Sequence, residues 1–316
     1  MDPAIVLFGF GIGAMVGMTG MGGGTLMTPL LIFLFGVKPV TAIGTDIFYA
    51  AVTKTVGGWR HLRMGTVNLR LSYWLAAGSV PAAVAGVWAI SVLQSKIGEE
   101  ELDSIVYALL GGTLLMVGII TLARALILSN LIEEREDFVL QRRHKIAAVA
   151  IGVTTGFVIG ITSAGSGTVI AILLITVFRL TPVKVVGTDV FHAAILLWAA
   201  GIAHWVGGNV DFVLAGNILL GSVPGVVFGS HYAARAPTGF LRTALGVVLV
   251  ASGIVTVQKG DPLVWPIAAA VAGVGLLLLI WFPRWWNERR VKREAAEATE
   301  RQGRDRSDDL APDVIG

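Results

Sequence analysis

A chain of 316 residues that is 55% hydrophobic and only 14% charged, with 40 glycines and no cysteine, carries little more than half the charge of an average soluble domain. Sixteen of its 45 charged residues lie in 284–316 and eight more in 133–145, leaving 21 for the other 270 positions. That is too few to coat a water-facing surface, which excludes a soluble enzyme, a disordered chain and a disulfide scaffold and leaves an all-α, polytopic helical membrane protein. A formal charge of +3 gives no reason to expect nucleic acid as a partner.

The opening Met1-Asp2-Pro3 lacks the basic flank of a signal peptide, so the first apolar run is expected to be retained. Apolar runs follow at about 4–18, 25–36, 41–57, 70–90, 105–127, 146–161, 168–178, 184–205, 213–232, 239–258 and 264–282. A membrane-spanning helix needs about 20 residues. The pairs 4–18/25–36 and 146–161/168–178 fall short of that length. Each is split by a Gly-rich break, Thr19-Gly20-Met21-Gly22-Gly23-Gly24-Thr25 in the first and Thr162-Ser163-Ala164-Gly165-Ser166-Gly167-Thr168 in the second. The pairs are either short tilted spans or hairpins that dip into the membrane and return.

The chain is internally duplicated. At an offset of 143 residues, 30 of the 78 pairs between 9–86 and 152–229 are identical. Gly44-Thr45-Asp46 falls on Gly187-Thr188-Asp189, His61 on His204, and Gly78-Ser79-Val80-Pro81 on Gly221-Ser222-Val223-Pro224. The register resumes at offset 135, where Gly111 and Gly118 meet Gly246 and Gly253. The basic bias of equivalent loops is exchanged between copies. Arg60, Arg63 and Arg70 face Ala203, Val206 and Val213, whereas Gly36 and Thr41 face Arg179 and Lys184. By the positive-inside rule this marks an inverted repeat. The N-terminus and Glu99-Glu100-Glu101 are then outside, and the C-terminus is cytoplasmic. The expected organisation is a first transmembrane repeat at 1–128, a charged cytoplasmic linker at 129–145 and a second repeat at 146–258. An extra helix at 259–283 and a charged, disordered cytoplasmic tail at 284–316 complete it.

Inverted repeats with interrupted helices point to secondary transporters, whose substrate lies where the broken elements meet. A helix that starts after such a break leaves its first N–H groups unpaired and directs a positive dipole end into the membrane. Two such ends, with hydroxyls beside them, form a cradle for a small anion without needing a buried base. The candidate substrate-binding residues are Thr19, Gly22, Gly23, Gly24 and Thr25 in one break. In the other they are Thr162, Ser163, Gly165, Ser166, Gly167 and Thr168. The bland reading is that the glycines only permit close helix packing.

Asp46 and Asp189 are carboxylates inside apolar runs, where such groups are costly and mark function. They are candidates for coupling to H+ or Na+, or for organising the site, together with Thr45 and Thr188. A structural alternative makes each Asp a cap for its own helix, because Pro39 and Pro182 precede them by seven residues. Lys54, replaced by Leu197 in the other copy, either attracts the anion or snorkels to the cytoplasmic interface; the second reading is favoured. His61 and His204 read as interfacial or gate residues, and His192 and His231 are given no role. The Gly-Ser-Val-Pro repeats read as kinks and close packing. No metal or other cofactor is expected, and a homo-oligomer is compatible with such a chain. A passive anion channel remains open as an alternative. So does an intramembrane hydrolase built on Ser166 with His192 or His204, although Gly23 at the serine position of the other copy opposes it.

Gly17-Met18-Thr19-Gly20-Met21-Gly22-Gly23-Gly24, Pro29, Pro39 and Ala42-Ile43-Gly44-Thr45 resemble the TauE/SafE family of sulfite-exporter and sulfonate-permease-like membrane proteins. So do Gly221-Ser222-Val223-Pro224-Gly225, Gly229 and the run from Leu241-Arg242 to Gly253. The resemblance covers about residues 5–258. It implies transport of a small anion, a sulfur oxyanion or organosulfonate, across a bacterial inner membrane, and no enzymatic activity. The family pattern has a small hydroxyl residue after Gly-Thr, where this chain has Asp46 and Asp189, a departure that touches coupling or substrate.

Overall fold

The computed structural model of the chain describes residues 2–19, 24–126, 140–165, 167–233 and 238–277. Of the linker expected at 129–145, residues 129–139 lie outside the described residues, and 142–145 already belong to the first helix of the second copy. Gly20, Gly22, Gly23, Ser166 and the tail expected at 284–316 also lie outside the described residues. The described secondary structure is helical. The first copy contains α1 (Pro3–Thr19), α2 (Gly24–Phe35), α3 (Pro39–Arg63), α4 (Leu69–Lys96) and α5 (Glu99–Leu126). The second contains α6 (Arg142–Thr162), α7 (Thr168–Phe178), α8 (Pro182–Val206), α9 (Phe212–Ala233) and α10 (Thr238–Lys259). An extra helix, α11 (Pro262–Leu277), follows a turn capped by the Asp261 carboxylate. Five of the helices are long and apolar enough to cross a membrane.

Local chemistry sets the helix ends in matching pairs. Pro39 and Pro182 open α3 and α8 at a position where a missing N–H costs nothing. Asn68 caps α4 by accepting from the Leu71 amide at 3.1 Å, and Asp211 caps α9 by accepting from Leu214 at 2.9 Å. Threonines within the spans return their hydroxyls to the preceding turn, as Thr121 does to the Val117 carbonyl and Thr256 to Ser252. In an apolar medium this removes an otherwise unsatisfied donor.

Both short pairs are hairpins. The Phe8 and Phe35 rings lie 5.0 Å apart at the open end of α1–α2, and His144 and Phe178 lie 6.2 Å apart at the open end of α6–α7. The two members of each pair therefore run antiparallel, and α6 is by itself long and apolar enough to cross a membrane. The arms differ in length within each pair: about 26 and 18 Å for the 17 and 12 residues of α1 and α2, and about 32 and 16 Å for the 21 and 11 residues of α6 and α7.

Helix pairing crosses between the copies. α1 packs on α9, α6 on α4, α5 on α10, and α3 on α8, with α4 also against α8 and α9 against α3. Exchanging the two copies maps this set of pairs onto itself. Glycine decides how closely the helices approach. A Cβ on Gly9, Gly13 or Gly17 would strike the backbone of Ile218, Ser222 or Val226 in α9. On the register-matched Gly152, Gly156 and Gly160 it would strike Leu75, Ser79 and Ala83 in α4. The stripe recurs as Gly221, Gly225 and Gly229 against Val6, Phe10 and Ala14. Small residues four apart on both faces let the backbones touch, the main source of attraction where lipid is as apolar as leucine. The same exchange holds at α5–α10, where Gly111 meets Val257 and Gly246 meets Leu122. Outside the copies, α11 rests on α5 through Ala268 against Gly112.

Contacts at the helix ends sort the loops. Lys38 bonds Glu99 at 2.6 Å, Lys259 sits over Phe33, and the Asp261 amide reaches Ser104. At the other end of the 28-residue α4, Lys145 lies over Trp74, and Arg63 stacks on Trp59 at 3.8 Å. Arg60, Arg63, Arg70, Arg142, Arg143 and Lys145 thus gather at the end opposite the Glu99 turn.

Candidate functional site

The site is built where α3 and α8 cross. In each Gly-Thr-Asp motif the first two residues dock the other copy. A Cβ on Gly44 would meet the Asn209 carbonyl, and one on Gly187 the Thr66 carbonyl. The Thr45 hydroxyl accepts from the Asp211 amide at 3.0 Å, and Thr188 accepts from the Asn68 amide, also at 3.0 Å. The two threonines therefore tie each central helix to the loop that leads into α9 or α4. Thr45→Val and Thr188→Val keep the shape but leave a backbone donor unpaired. Each is expected to lower stability by about 1 kcal/mol, by similar amounts, in thermal unfolding of the purified protein. A loss confined to one of the two would show that the bonds are not equivalent.

The third residue turns inward. Asp46 is fully buried, and one of its oxygens, Oδ2, accepts from the Thr28 hydroxyl at 2.5 Å and the Ser163 hydroxyl at 2.8 Å. Thr28 belongs to α2, and Ser163 belongs to the second break. One carboxylate oxygen thus links the first hairpin to the break of the second. It does not cap its own helix; α3 begins two turns earlier, and the bonds come from elements outside it. Ser163 has φ +58°, an uncommon backbone state for a residue with a side chain. Gly165 and Gly167, at φ +101° and +100°, lie where a Cβ is disfavoured. The break runs through these three left-handed residues and ends where α7 begins.

Asp189 has different neighbours. Thr28 corresponds to Ala171 and Ser163 to Gly20, so the hydroxyl partners of Asp46 have no counterpart. Asp189 instead faces the Lys54 ammonium at 4.0 Å and the backbone N–H of Gly167, at the start of α7. Lys54 is 7% exposed and its Nζ has no hydrogen-bond partner among the described residues. The snorkelling reading of Lys54 is therefore corrected: its stem runs inward across the α3–α8 contact, because a carboxylate waits there.

Further along α8, buried His192 shares a 2.8 Å hydrogen bond between Nε2 and the Ser79 hydroxyl. The register partners of these residues, Tyr49 and Ser222, also face each other. The serine of each Gly-Ser-Val-Pro motif therefore meets a polar ring on the opposite central helix, beyond the packing role expected of it. Sequence reasoning passed over His192 and Thr28. The signal for His192 was its alignment with Tyr49, another ring with a polar atom; Thr28, opposite Ala171, had none.

His204 is not an interfacial residue. It is fully buried, and its Nε2 lies 2.9 Å from the Gly160 carbonyl. His61 is part-buried at the basic end, beside Thr66. Ser166, on which the hydrolase alternative rests, lies outside the described residues. Thr162 donates to the Val158 carbonyl and accepts from the Ala164 amide, so its hydroxyl serves the end of α6. Thr25 and Thr168 are buried at the starts of α2 and α7. Thr19 and Gly24 end α1 and open α2, respectively.

Residues 5–256 match the family described as "Sulfite exporter TauE/SafE". The chain belongs to the TauE/SafE family. It is 38% identical over 254 residues to "Probable membrane transporter protein YjnA" of Bacillus subtilis, covering 80% of this chain and 99% of that one. "Probable membrane transporter protein YdhB" of the same organism is 25% identical, with 79% and 98% covered. A "Probable membrane transporter protein" of Xylella fastidiosa is 27% identical, with 81% and 95% covered. No solved structure matches the chain. The TauE/SafE match spans both copies and stops before α11. A multi-pass membrane protein of a transporter family is the conclusion that family, relatives and apolar helices share.

Proposed function

We propose that this TauE/SafE protein is a secondary transporter of a small anion, a sulfur oxyanion or organosulfonate, working by alternating access of two inverted halves. The observation that carries the reading is the buried junction of the α7 start, Asp189 and Lys54. There the start of α7, a buried carboxylate and a buried ammonium lie at the contact between the copies. Thr19, Gly22, Gly23, Gly24 and Thr25 line the first half of the substrate site. Thr162, Ser163, Gly165, Ser166, Gly167 and Thr168 line the second. Asp46, Asp189, Thr45, Thr188 and Lys54 organise it or couple it to H+ or Na+.

The exchange of helix pairs between copies supports inversion, as does the placement of the hairpins. α1–α2 ends near Lys38 and Glu99, whereas α6–α7 ends near Lys145. With the basic end cytoplasmic, the protein lies in a bacterial inner membrane, N-terminus outside and C-terminus inside. Rocking one half against the other would open the junction to each side in turn.

A calorimetric binding screen of the purified protein with sulfite, thiosulfate, methanesulfonate, phosphate and acetate tests this. Binding of a sulfur anion in preference to phosphate and acetate is expected. Binding only of cations or neutral solutes would end the anion reading. In liposomes, uptake indifferent to imposed proton and sodium gradients would assign a passive channel instead.

A further inference from the structure

We infer that Asp189 is a built-in competitor for the transported anion, holding Lys54 and the start of α7 until a proton neutralises it and an anion takes its place. The inference rests on the anion-transport reading and names the charge that performs the coupling.

The donors at this junction are the ones an oxyanion needs. The Gly167 N–H lies immediately before the 11-residue α7, whose positive dipole end is at the same place. Lys54 supplies an ammonium that is more than nine-tenths buried and has no hydrogen-bond partner among the described residues. At 4.0 Å its Nζ is closer to an ionic contact with Asp189 than to a hydrogen bond. Asp189 is 5% exposed, and its Oδ1 likewise has no partner among the described residues. A well-made buried ion pair has its remaining protons and lone pairs satisfied, because desolvation otherwise exceeds the attraction. This pair does not meet that condition.

The charge count limits what can occupy the junction. Lys54 from α3 is the charged group acting on Asp189. His192 lies one turn further along α8, the break contributes the Gly167 amide, and α4 contributes the neutral Ser79. A second anion at the same donors would meet a like charge across a few ångströms of poorly screened interior. Transfer of one proton from water to the Asp189 carboxylate removes that repulsion and frees the ammonium. Each anion bound is thereby matched by one proton taken up, which makes the protein an anion–proton symporter. The device exists once. Leu197 stands at the register position of Lys54, and Asp46 is held by Thr28 and Ser163. One anion per chain follows, rather than one at each break.

The test is calorimetric titration of the full-length purified protein with methanesulfonate and with thiosulfate, neither of which takes up a proton near neutrality. Repeating each titration in buffers of different ionisation heat counts the protons taken up. The wild type is expected to take up about one proton per anion, with affinity falling up to tenfold per pH unit as pH rises. Asp189→Asn is expected to bind with no proton uptake and a flat pH profile. Lys54→Met is expected to weaken binding at least about tenfold, and Lys54→Arg to retain binding and proton uptake. Proton uptake that survives in Asp189→Asn, or that vanishes only in His192→Asn, overturns the inference and leaves the transport reading standing. Wild-type affinity in Lys54→Met does the same. Failure of the wild type to bind either anion, or any other in the screen, overturns both.

Discussion

Replacing Gly13 or its register partner Gly156 with leucine is expected to abolish correct packing of the transporter. A Cβ on Gly13 would lie 2.7 Å from the Ser222 Cα, and one on Gly156 would lie 2.6 Å from the Ser79 Cα. Both also overlap the carbonyl oxygens of those residues. The obstacle is helix backbone, which cannot rotate away as a side chain can. The α1–α9 or α4–α6 pair must move apart, and it then loses contacts along the rest of the glycine stripe. Overpacking costs of about 1–3 kcal/mol are usual, and a backbone obstacle places these variants at about 3 kcal/mol or more. The measurement is thermal unfolding and size-exclusion behaviour in detergent. Gly11→Ala is the control on the same helix: a Cβ there meets nothing within 4 Å, and alanine is the better helix former. If Gly13→Leu melts with Gly11→Ala, the close approach of α1 and α9 is not a determinant of stability.

The second large effect is expected from Asp46→Leu, which should remove anion binding and lower stability together. Leucine leaves the Thr28 and Ser163 hydroxyls buried without the acceptor they share, at about 1–3 kcal/mol for each. It also releases Ser163, whose left-handed backbone is held beside that carboxylate. Loss of this tether lets the second break shift relative to α2, and with it the Gly167 amide at the proposed anion junction. Asp46→Asn keeps an oxygen acceptor and should lose much less. Thr28→Ala and Ser163→Ala should show non-additive losses, because both hydroxyls address one oxygen. Binding within about twofold of wild type in Asp46→Leu, with unchanged melting, would sink the tether. Proton counting separates the two carboxylates: Asp46→Asn is expected to keep the proton uptake proposed for Asp189, and Asp189→Asn to lose it.

Much of the architecture was legible in the chain. Scarcity of charge placed it in a membrane, because a water-facing surface cannot be built from 21 charges in 270 residues. The offset of 143 residues paired Gly9, Gly13 and Gly17 with Gly152, Gly156 and Gly160, and Asp46 with Asp189. The Gly-rich interruptions located the ends of α1 and α6 and the starts of α2 and α7. These features are local or periodic, so a single sequence displays them. The function of the glycine stripes was less legible, since a stripe of small residues shows that something approaches closely but not which helix does so.

The environments of equivalent residues were decided only in three dimensions. Asp46 and Asp189 occupy one register position, yet one is held by two hydroxyls and the other faces a lysine. Those partners come from α2, the second break and α3, where the copies have diverged through Thr28 and Ala171, Ser163 and Gly20, and Lys54 and Leu197. Lys54 alone could reach either an interface or a buried carboxylate, and only the crossing of α3 with α8 selects the carboxylate. Duplication determines which positions correspond. Side-chain chemistry at a contact depends on both surfaces that meet there, and the second surface is supplied by the tertiary fold.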